Sequence, residues 1–402
     1  LPVYGYLPFW LLKAVFVFAK IIMLELAGNQ PMETVIYRCA EYQLIRIVNP
    51  SGDSVLVKRF SSADNYQETS VVALVNEQRM LEKLKDISGC PTLINADIDK
   101  LELFFLDFAG MTLSQSALLG QTELTGFIRI AKELTRILAA FHNKHVILKN
   151  ISPDNILIGS GDDPVLLITD FTKATSFAYE YSVFSQQGQF SGNLAFISPE
   201  QTGLMNRPVD YRSDLYSLGT IFYALVTGAP PFVRSEASTL IYSHLAETPI
   251  APHLSRTWLP LPLSELILLL LSKEPDDRYQ SAAGVFYDLQ LLENNLTENT
   301  SLTDLSLRQR DLALLPHPPH RLYGRDHELA ILKNAFERVR TGGSGAVFIG
   351  GYAGVGKTSL IQAIQGPVTL QKGLFITGKF EQFQRNQAFS APAQCLSQLC
   401  QL

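Results

Sequence analysis

From residue 34 onward the apolar positions fall into two successive regimes. In the first, the runs are short. Leu44-Ile45-Arg46-Ile47-Val48 and Val55-Leu56-Val57-Lys58-Arg59-Phe60 flank the turn residues Asn49-Pro50-Ser51-Gly52-Asp53, which predicts a hairpin. A helix is expected over 71–84 and another strand over 101–106. After Gly110 the apolar spacing becomes helical. Ile130, Leu134, Ile137, Leu138 and Phe141 mark a helix over 123–143, and Leu215, Leu218, Ile221, Phe222 and Leu225 mark one over 213–228. The six apolar residues of 266–271 are too few to span a bilayer and predict a buried helix. A strand-rich lobe followed by a helical lobe, without alternation, predicts an α+β bilobal architecture.

The flanks of this region differ from it. Residues 6–27 are strongly apolar but interrupted by Lys13, Lys20 and Glu25. A charge at a membrane centre costs about 2.5–3.5 kcal/mol, although lysines can snorkel to the interface. Two readings stay open for 1–31: a weak membrane anchor, or a mis-set start with Met32 as the natural first residue. No small-residue cleavage site supports a signal peptide. Residues 298–321 turn polar and then proline-rich (Pro316-His317-Pro318-Pro319-His320), which reads as a linker. The expected domains are therefore an extension over 1–31, the bilobal domain over 32–297, the linker over 298–321, and a second, unfinished α/β domain over 322–402.

Composition narrows the function. The 402 residues are 47% hydrophobic, enough for sizeable cores, and the net charge of -5 gives no sign of nucleic-acid binding. Cys39, Cys90, Cys395 and Cys400 form no C-x-x-C pair, which suggests neither zinc nor a disulfide framework and fits a cytoplasmic protein.

Seven chemical elements then recur in a telling order. Lys58 ends a strand as V-x-x-K, and Glu77 stands on the next helix. Leu148-Lys149-Asn150 is followed by Asn155 five residues after Asn150, and Asp170-Phe171-Thr172 follows an apolar strand. Ser198-Pro199-Glu200, Asp214 and Arg278 complete the set. In order and spacing these elements resemble the protein kinases. The resemblance implies a bilobal protein-kinase-like fold with ATP and Mg2+ as cofactors. Lys58 would grip phosphates and pair with Glu77; Asn155 and Asp170 would hold magnesium. Leu106 and Phe108 would border the adenine from the hinge, and Arg278 would pair with Glu200.

The second domain carries Gly351-Tyr352-Ala353-Gly354-Val355-Gly356-Lys357-Thr358, which matches G-x-x-x-x-G-K-[ST]. A strand over 346–349 is expected before it and a helix from Ser359 after it. Gly351, Gly354 and Gly356 would let backbone N–H groups cradle phosphates, Lys357 would reach them, Thr358 would meet magnesium, and Ser359 would complete the nucleotide-binding set. The candidate strand 373–377 ends in no acidic residue, and Glu381 follows too late, so binding without efficient hydrolysis is expected.

Longer strings resemble one family. They are Phe196-Ile197-Ser198-Pro199-Glu200-Gln201-Thr202-Gly203-Leu204-Met205-Asn206-Arg207, Asp277-Arg278-Tyr279-Gln280-Ser281-Ala282, Leu322-Tyr323-Gly324-Arg325-Asp326-His327-Glu328-Leu329 and Gly378-Lys379-Phe380-Glu381-Gln382-Phe383-Gln384-Arg385-Asn386. The chain is similar to large bacterial signalling proteins, common in cyanobacteria. These begin with a Ser/Thr kinase-like domain, continue into an AAA or STAND-type P-loop ATPase, and then carry GAF and histidine-kinase modules. The resemblance implies a cytoplasmic signalling role with such modules as partners.

Departures from the kinase pattern qualify the activity. Asn150 stands at the position of the catalytic Asp, and an amide has no basic lone pair for a hydroxyl proton at neutral pH. Tyr37-Arg38-Cys39-Ala40-Glu41-Tyr42-Gln43 replaces the glycine-rich loop, and side chains there hinder close backbone approach to phosphate. Thr172 follows Asp-Phe in place of glycine. Ser152 and Asn193 replace a Lys and a Thr, and Leu56 replaces the small residue above the adenine. Asp154 is a conceivable substitute base, although its side chain should point elsewhere. Leu148 replaces a histidine and can pack with Phe171 and Leu81. The profile is that of a pseudokinase. The alternatives are an active Ser/Thr kinase of low turnover, and a P-loop nucleotide switch that uses the kinase-like lobe as sensor or lid.

Overall fold

The computed structural model describes residues 32–50, 52–62, 67–159, 165–176, 180, 193–205, 207–298, 306–314, 324–352, 354–371, 373–378 and 389–401. The apolar extension 1–31, the proline-rich part of the linker, Asn206, Leu322-Tyr323, Ala353 and the string Lys379-Phe380-Glu381-Gln382-Phe383-Gln384-Arg385-Asn386 lie outside the described residues.

The first lobe is a five-stranded antiparallel sheet of β1 (Met32–Arg38), β2 (Tyr42–Val48), β3 (Ser54–Phe60), β4 (Leu93–Asp97) and β5 (Glu102–Leu106), in the order β1-β2-β3-β5-β4. Helix α1 (Gln67–Leu84) crosses between β3 and β4 and starts four residues before the sequence expectation. Between β2 and β3, the Asn49 side chain accepts from the Asp53 N–H at 2.8 Å, the local bond that makes asparagine a turn residue. The hairpin register sets Leu44 opposite Lys58.

Period-two alternation decides which side chains meet the second lobe. Val55 and Val57 pack with Ile45 and Ile47 on the outer face, beneath Phe104. Leu44, Leu56 and Phe60 face inward and belong to the main core. Lys58 lies between Leu56 and Phe60 on that inner side, so its ammonium is carried into the interior and is fully buried. Tyr42 lies two residues before Leu44 and turns the same way. On α1, Leu74, Glu77, Leu81 and Leu84 follow helical spacing and are all buried, which puts one carboxylate in an otherwise apolar stripe.

The second lobe contains a small sheet of β6 (Gly110–Thr112), β7 (Ile156–Gly159) and β8 (Leu166–Ile168), with α2 (Leu124–Asn143), α3 (Tyr211–Thr227), α4 (Ala237–Ala246), α5 (Pro252–Ser255), α6 (Leu261–Leu270) and α7 (Ala282–Thr297). Helix α3 is the axis of this lobe. Its residues from Tyr211 to Val226 are all buried, the Asp210 side chain caps its start through Arg212 N, and Gly228 ends it at φ 95. Phe127, Ile130, Leu134, Leu138 and Phe141 line the buried stripe of α2. Each such side chain contributes roughly 1.5–3 kcal/mol by leaving water. The apolar run 266–271 falls largely in α6, with Leu266, Ile267 and Leu270 buried.

Beyond α7, residues 306–311 fold back onto that helix's start. The remaining described helices are α8 (Asp326–Arg340), α9 (Lys357–Gln362), α10 (Gln365–Leu370) and α11 (Ser390–Gln401). The strands expected over 346–349 and 373–377 are not strands here. Both segments carry no strand assignment among the described residues, and Phe348 is 95% exposed. A strand is defined by its hydrogen-bonded neighbours, and neither segment has one among the described residues. Among these residues, no helix is long and apolar enough to cross a membrane.

Candidate active site

The site is assembled by one buried aspartate on the second lobe and one lysine on the first. Lys58 Nζ lies 2.9 Å from Asp170 Oδ1 and 2.7 Å from Glu77 Oε2, with all three side chains buried. One ammonium therefore serves two carboxylates. Burial raises both, but the Lys58 charge wins at Asp170 and pulls it down to about 2. Glu77 stays pushed up, to about 7, by burial and by the nearby Asp170 charge despite Lys58. Asp170 Oδ1 also accepts from the Thr172 N–H (3.1 Å) and hydroxyl (2.8 Å). Thr172, which replaces a glycine, thus ties the carboxylate to its own turn.

The catalytic-loop segment hangs on α3. Asp214 in its first turn accepts from the backbone N–H of Leu148 (2.9 Å) and Lys149 (2.8 Å), and Nε2 of His142 lies 3.0 Å away. Lys149 adopts φ 62 as the chain bends toward the site. Leu148, Leu81 and Phe171 share the main core, and Phe171 meets the Phe141 ring edge-on at 5.7 Å. Replacement of a histidine by Leu148 therefore leaves the interlobe packing intact.

Asn150 reaches the site with its amide. Its Nδ2 donates to Asp170 Oδ2 at 2.6 Å, and its backbone carbonyl accepts from Asn155 Nδ2 at 3.0 Å. The opposite amide orientation would set two oxygens against each other, so the chemistry fixes this one. The Asp154 carboxylate accepts from Asn193 Nδ2 at 3.2 Å.

Tyr42 occupies the space above Lys58. Its ring centroid is 3.8 Å from Lys58 Nζ, its hydroxyl donates to Asn155 Oδ1 at 3.2 Å, and only 5% of the residue is exposed. Tyr42 falls within the segment that replaces the glycine-rich loop, and nothing in that replacement indicates that its side chain fills the site. The available signal was its parity with Leu44 on β2.

Magnesium takes oxygen donors, and Asp170 and Asn155 supply them. In this arrangement, however, both Asp170 oxygens and Asn155 Oδ1 are already bonded within the protein. The residue types suit Mg2+.

At the hinge, Leu106 N donates to the Thr92 carbonyl and the Phe108 carbonyl accepts from Arg46 Nη2 at 2.8 Å. Arg46 also pairs with Asp107 at 2.9 Å. An open cavity of ≈ 890 Å³ lined by Arg46, Ser54, Asp107, Met111 and Arg129 lies on this side, and Lys58, Asn155 and Asp170 are not among its walls. Farther away, Arg278 grips Glu200 through two bonds of 2.6 and 2.8 Å, with both residues buried, and Ser213 adds a third bond to Glu200 at 2.6 Å.

In the second motif, Gly354 and Gly356 take φ of 81 and 88, and Gly356 caps α9. Thr358 and Ser359 lie exposed in the first turn of α9. Lys357 Nζ bonds to the Gly351 and Tyr352 carbonyls at 2.8 and 2.7 Å.

Comparison with known proteins agrees with this geometry. The protein kinase domain family matches residues 44–286, and the AAA ATPase domain family matches residues 321–402. The chain belongs to the protein kinase domain family and continues into an AAA ATPase domain. It is 41% identical over 229 residues to hybrid signal transduction histidine kinase G of Dictyostelium discoideum, covering 52% of this chain and 7% of that protein. It is 29% identical over 290 residues to histidine protein kinase 1 of Candida albicans, covering 65% and 11%. It is 32% identical over 167 residues to the serine/threonine-protein kinase PknB of Mycobacterium tuberculosis, covering 42% and 26%. The chain thus spans about a quarter or less of each of these relatives, which include both eukaryotic and bacterial proteins.

Proposed function

We propose that the kinase-like domain is a pseudokinase, which relays a signal to neighbouring modules rather than transferring phosphate efficiently. One observation carries this reading: the residue at the base position is an amide whose N–H is bonded to the metal-ligand aspartate. Transfer to a hydroxyl needs an acceptor for its proton, and loss of a general base costs about 10²–10⁴-fold. The intact Lys58–Glu77 pair, the Asp214 anchor and the Glu200–Arg278 pair support a preserved scaffold. The histidine kinases among the similar proteins, all eukaryotic, support a place in a multidomain signalling chain; the cytoplasmic setting of bacterial type, with GAF and histidine-kinase modules as partners, rests on the family resemblance of the sequence strings alone.

A second reading, in which the P-loop module is the switch and the kinase-like lobe its sensor, draws support from one contact. Gln365 of α10 donates to the Leu204 carbonyl, close after the Ser198-Pro199-Glu200 motif. The test of the pseudokinase reading is phosphoprotein formation by the full chain with Mg-ATP, for the wild type and for Asn150→Asp/Tyr42→Gly. The wild type should stay at background and the double variant should gain. Wild-type labelling at ordinary kinase rates would overturn the proposal.

A further inference from the structure

The groups that kinases turn toward the phosphates and magnesium of a nucleotide converge here on one tyrosine of the same chain. The Tyr42 ring covers Lys58 Nζ at 3.8 Å, and its hydroxyl holds Asn155 Oδ1 at 3.2 Å. The rings of Tyr37 and Phe60 flank it, with centroids 5.8 and 6.1 Å away. A desolvated ammonium over an aromatic face is a favourable contact, and the phenol leaves no unpaired hydroxyl in the interior. Leu56, farther along β3 on the same inward face, is 2% exposed and belongs to the same core.

We propose that Tyr42 is a built-in gate of the nucleotide site. Tyr42 and nucleotide phosphates compete for the same ammonium and the same asparagine oxygen, so Mg-ATP enters the kinase-like lobe only in the state in which Tyr42 has swung out. The position explains the means. A glycine there has no side chain to insert, whereas a tyrosine on the inward parity of β2 spans the gap from the first lobe to the second. The contact with Asn155 joins residues 113 positions apart, so the gate also ties the two lobes together in the closed state. Whatever displaces Tyr42 would open the cleft and loosen that tie at once. This holds whether or not phosphate is ever transferred, because it concerns occupancy of the site.

Calorimetric titration of the full chain with Mg-ATP tests the gate, in a Lys357→Ala background that silences the P-loop. The Lys357→Ala parent should show no binding at micromolar nucleotide. Adding Tyr42→Gly should tighten binding by about thirtyfold, the worth of a desolvated cation–π contact. Adding Lys58→Met to that variant should abolish the gain. Tyr42→Ser carries the test if the glycine variant does not fold, and Tyr42→Gly/Leu56→Ala covers a closed adenine pocket. Tight binding by the Lys357→Ala parent that Lys58→Met removes would overturn the proposal, as would no gain in any of the opened variants.

Discussion

The Asn150 carboxamide donates to the Asp170 carboxylate at 2.6 Å. With Lys58 and Thr172, it completes the hydrogen bonding of a fully buried acid. An aspartate at position 150 would set a second carboxylate against the first. Two acids at that distance cannot both ionise without a cation between them. The substitution that removes the base therefore also lets Asp170 stay charged without a metal ion.

Asn150→Asp should for this reason destabilise the chain in metal-free buffer. Loss of the donor and the new repulsion predict a loss of about 1–3 kcal/mol, or roughly 2–8 °C in melting temperature. Thermal melts with and without Mg2+ would show the deficit and its partial recovery by the ion. An unchanged melt would mean that the Asn150–Asp170 bond carries no structural weight.

Arg278→Leu should be the most damaging single change in the second lobe. It strands the Glu200 carboxylate, and breaking a buried pair costs about 3–5 kcal/mol. The pair also has a pH signature. Burial alone would raise Glu200, but the Arg278 charge and the bonds from Arg278 and Ser213 outweigh burial and hold it below its ordinary value near 4.5. A carboxyl depressed in the fold stabilises it above the unfolded value, and that contribution is lost as pH falls through the folded value. Urea denaturation at falling pH should therefore narrow the gap between the wild type and Glu200→Gln on the acid side of about pH 4.5. A gap that stays constant would contradict the assignment.

The kinase-like domain should lose stability when its C-terminal strap is released. Asp311 accepts from Gln280 N (2.9 and 2.7 Å) and from the Ser281 hydroxyl (3.2 Å), and Arg308 N donates to Asp288 Oδ2 at 2.7 Å. Gly284 makes room for this strap, since a Cβ there would fall 2.5 Å from Asp311 Oδ1 and 2.9 Å from its Cα. Gly284→Ala and Asp311→Ala should each cost about 1–3 kcal/mol and speed proteolysis between α7 and α8. Limited proteolysis reads the effect directly; cleavage rates equal to the wild type would show that the strap is idle.

Lys357→Ala should abolish Mg-ATP binding by the P-loop while leaving the melting of the kinase-like lobe unchanged. Among the described residues, Lys357 Nζ bonds to the Gly351 and Tyr352 carbonyls of its own loop, so its loss should leave the core of the kinase-like lobe untouched. Calorimetry of Lys58→Met beside Lys357→Ala separates the two sites. Binding that survives in Lys357→Ala and disappears in Lys58→Met would assign the nucleotide to the first domain instead.

Much of this architecture was legible in the chain. Lys58 pairs with Glu77, and Arg278 with Glu200, as their order in the chain implied. Asn150 was readable as a chemical loss, since the difference between amide and acid is visible without coordinates. Three features were not readable. Strand β4 (Leu93–Asp97) is half-buried and carries Asn95 and Asp97, so it shows no clean alternation. The strap at Arg308 and Asp311 lies in a polar stretch whose partners are on α7 and the turn before it. The Tyr42 gate depends on a partner across the interlobe cleft. Local patterns reveal elements and the parity of side chains, whereas contacts between distant segments need the fold.

This kinase scaffold should not run phosphoryl transfer at kinase speed. The most direct measurement is quenched-flow phosphoprotein formation by the full wild-type chain with saturating labelled Mg-ATP, with Lys58→Met as the reference. Wild-type rates should be indistinguishable from those of Lys58→Met, far below the roughly 1–100 s⁻¹ of working kinases. Rates within that range, abolished by Lys58→Met, would contradict it.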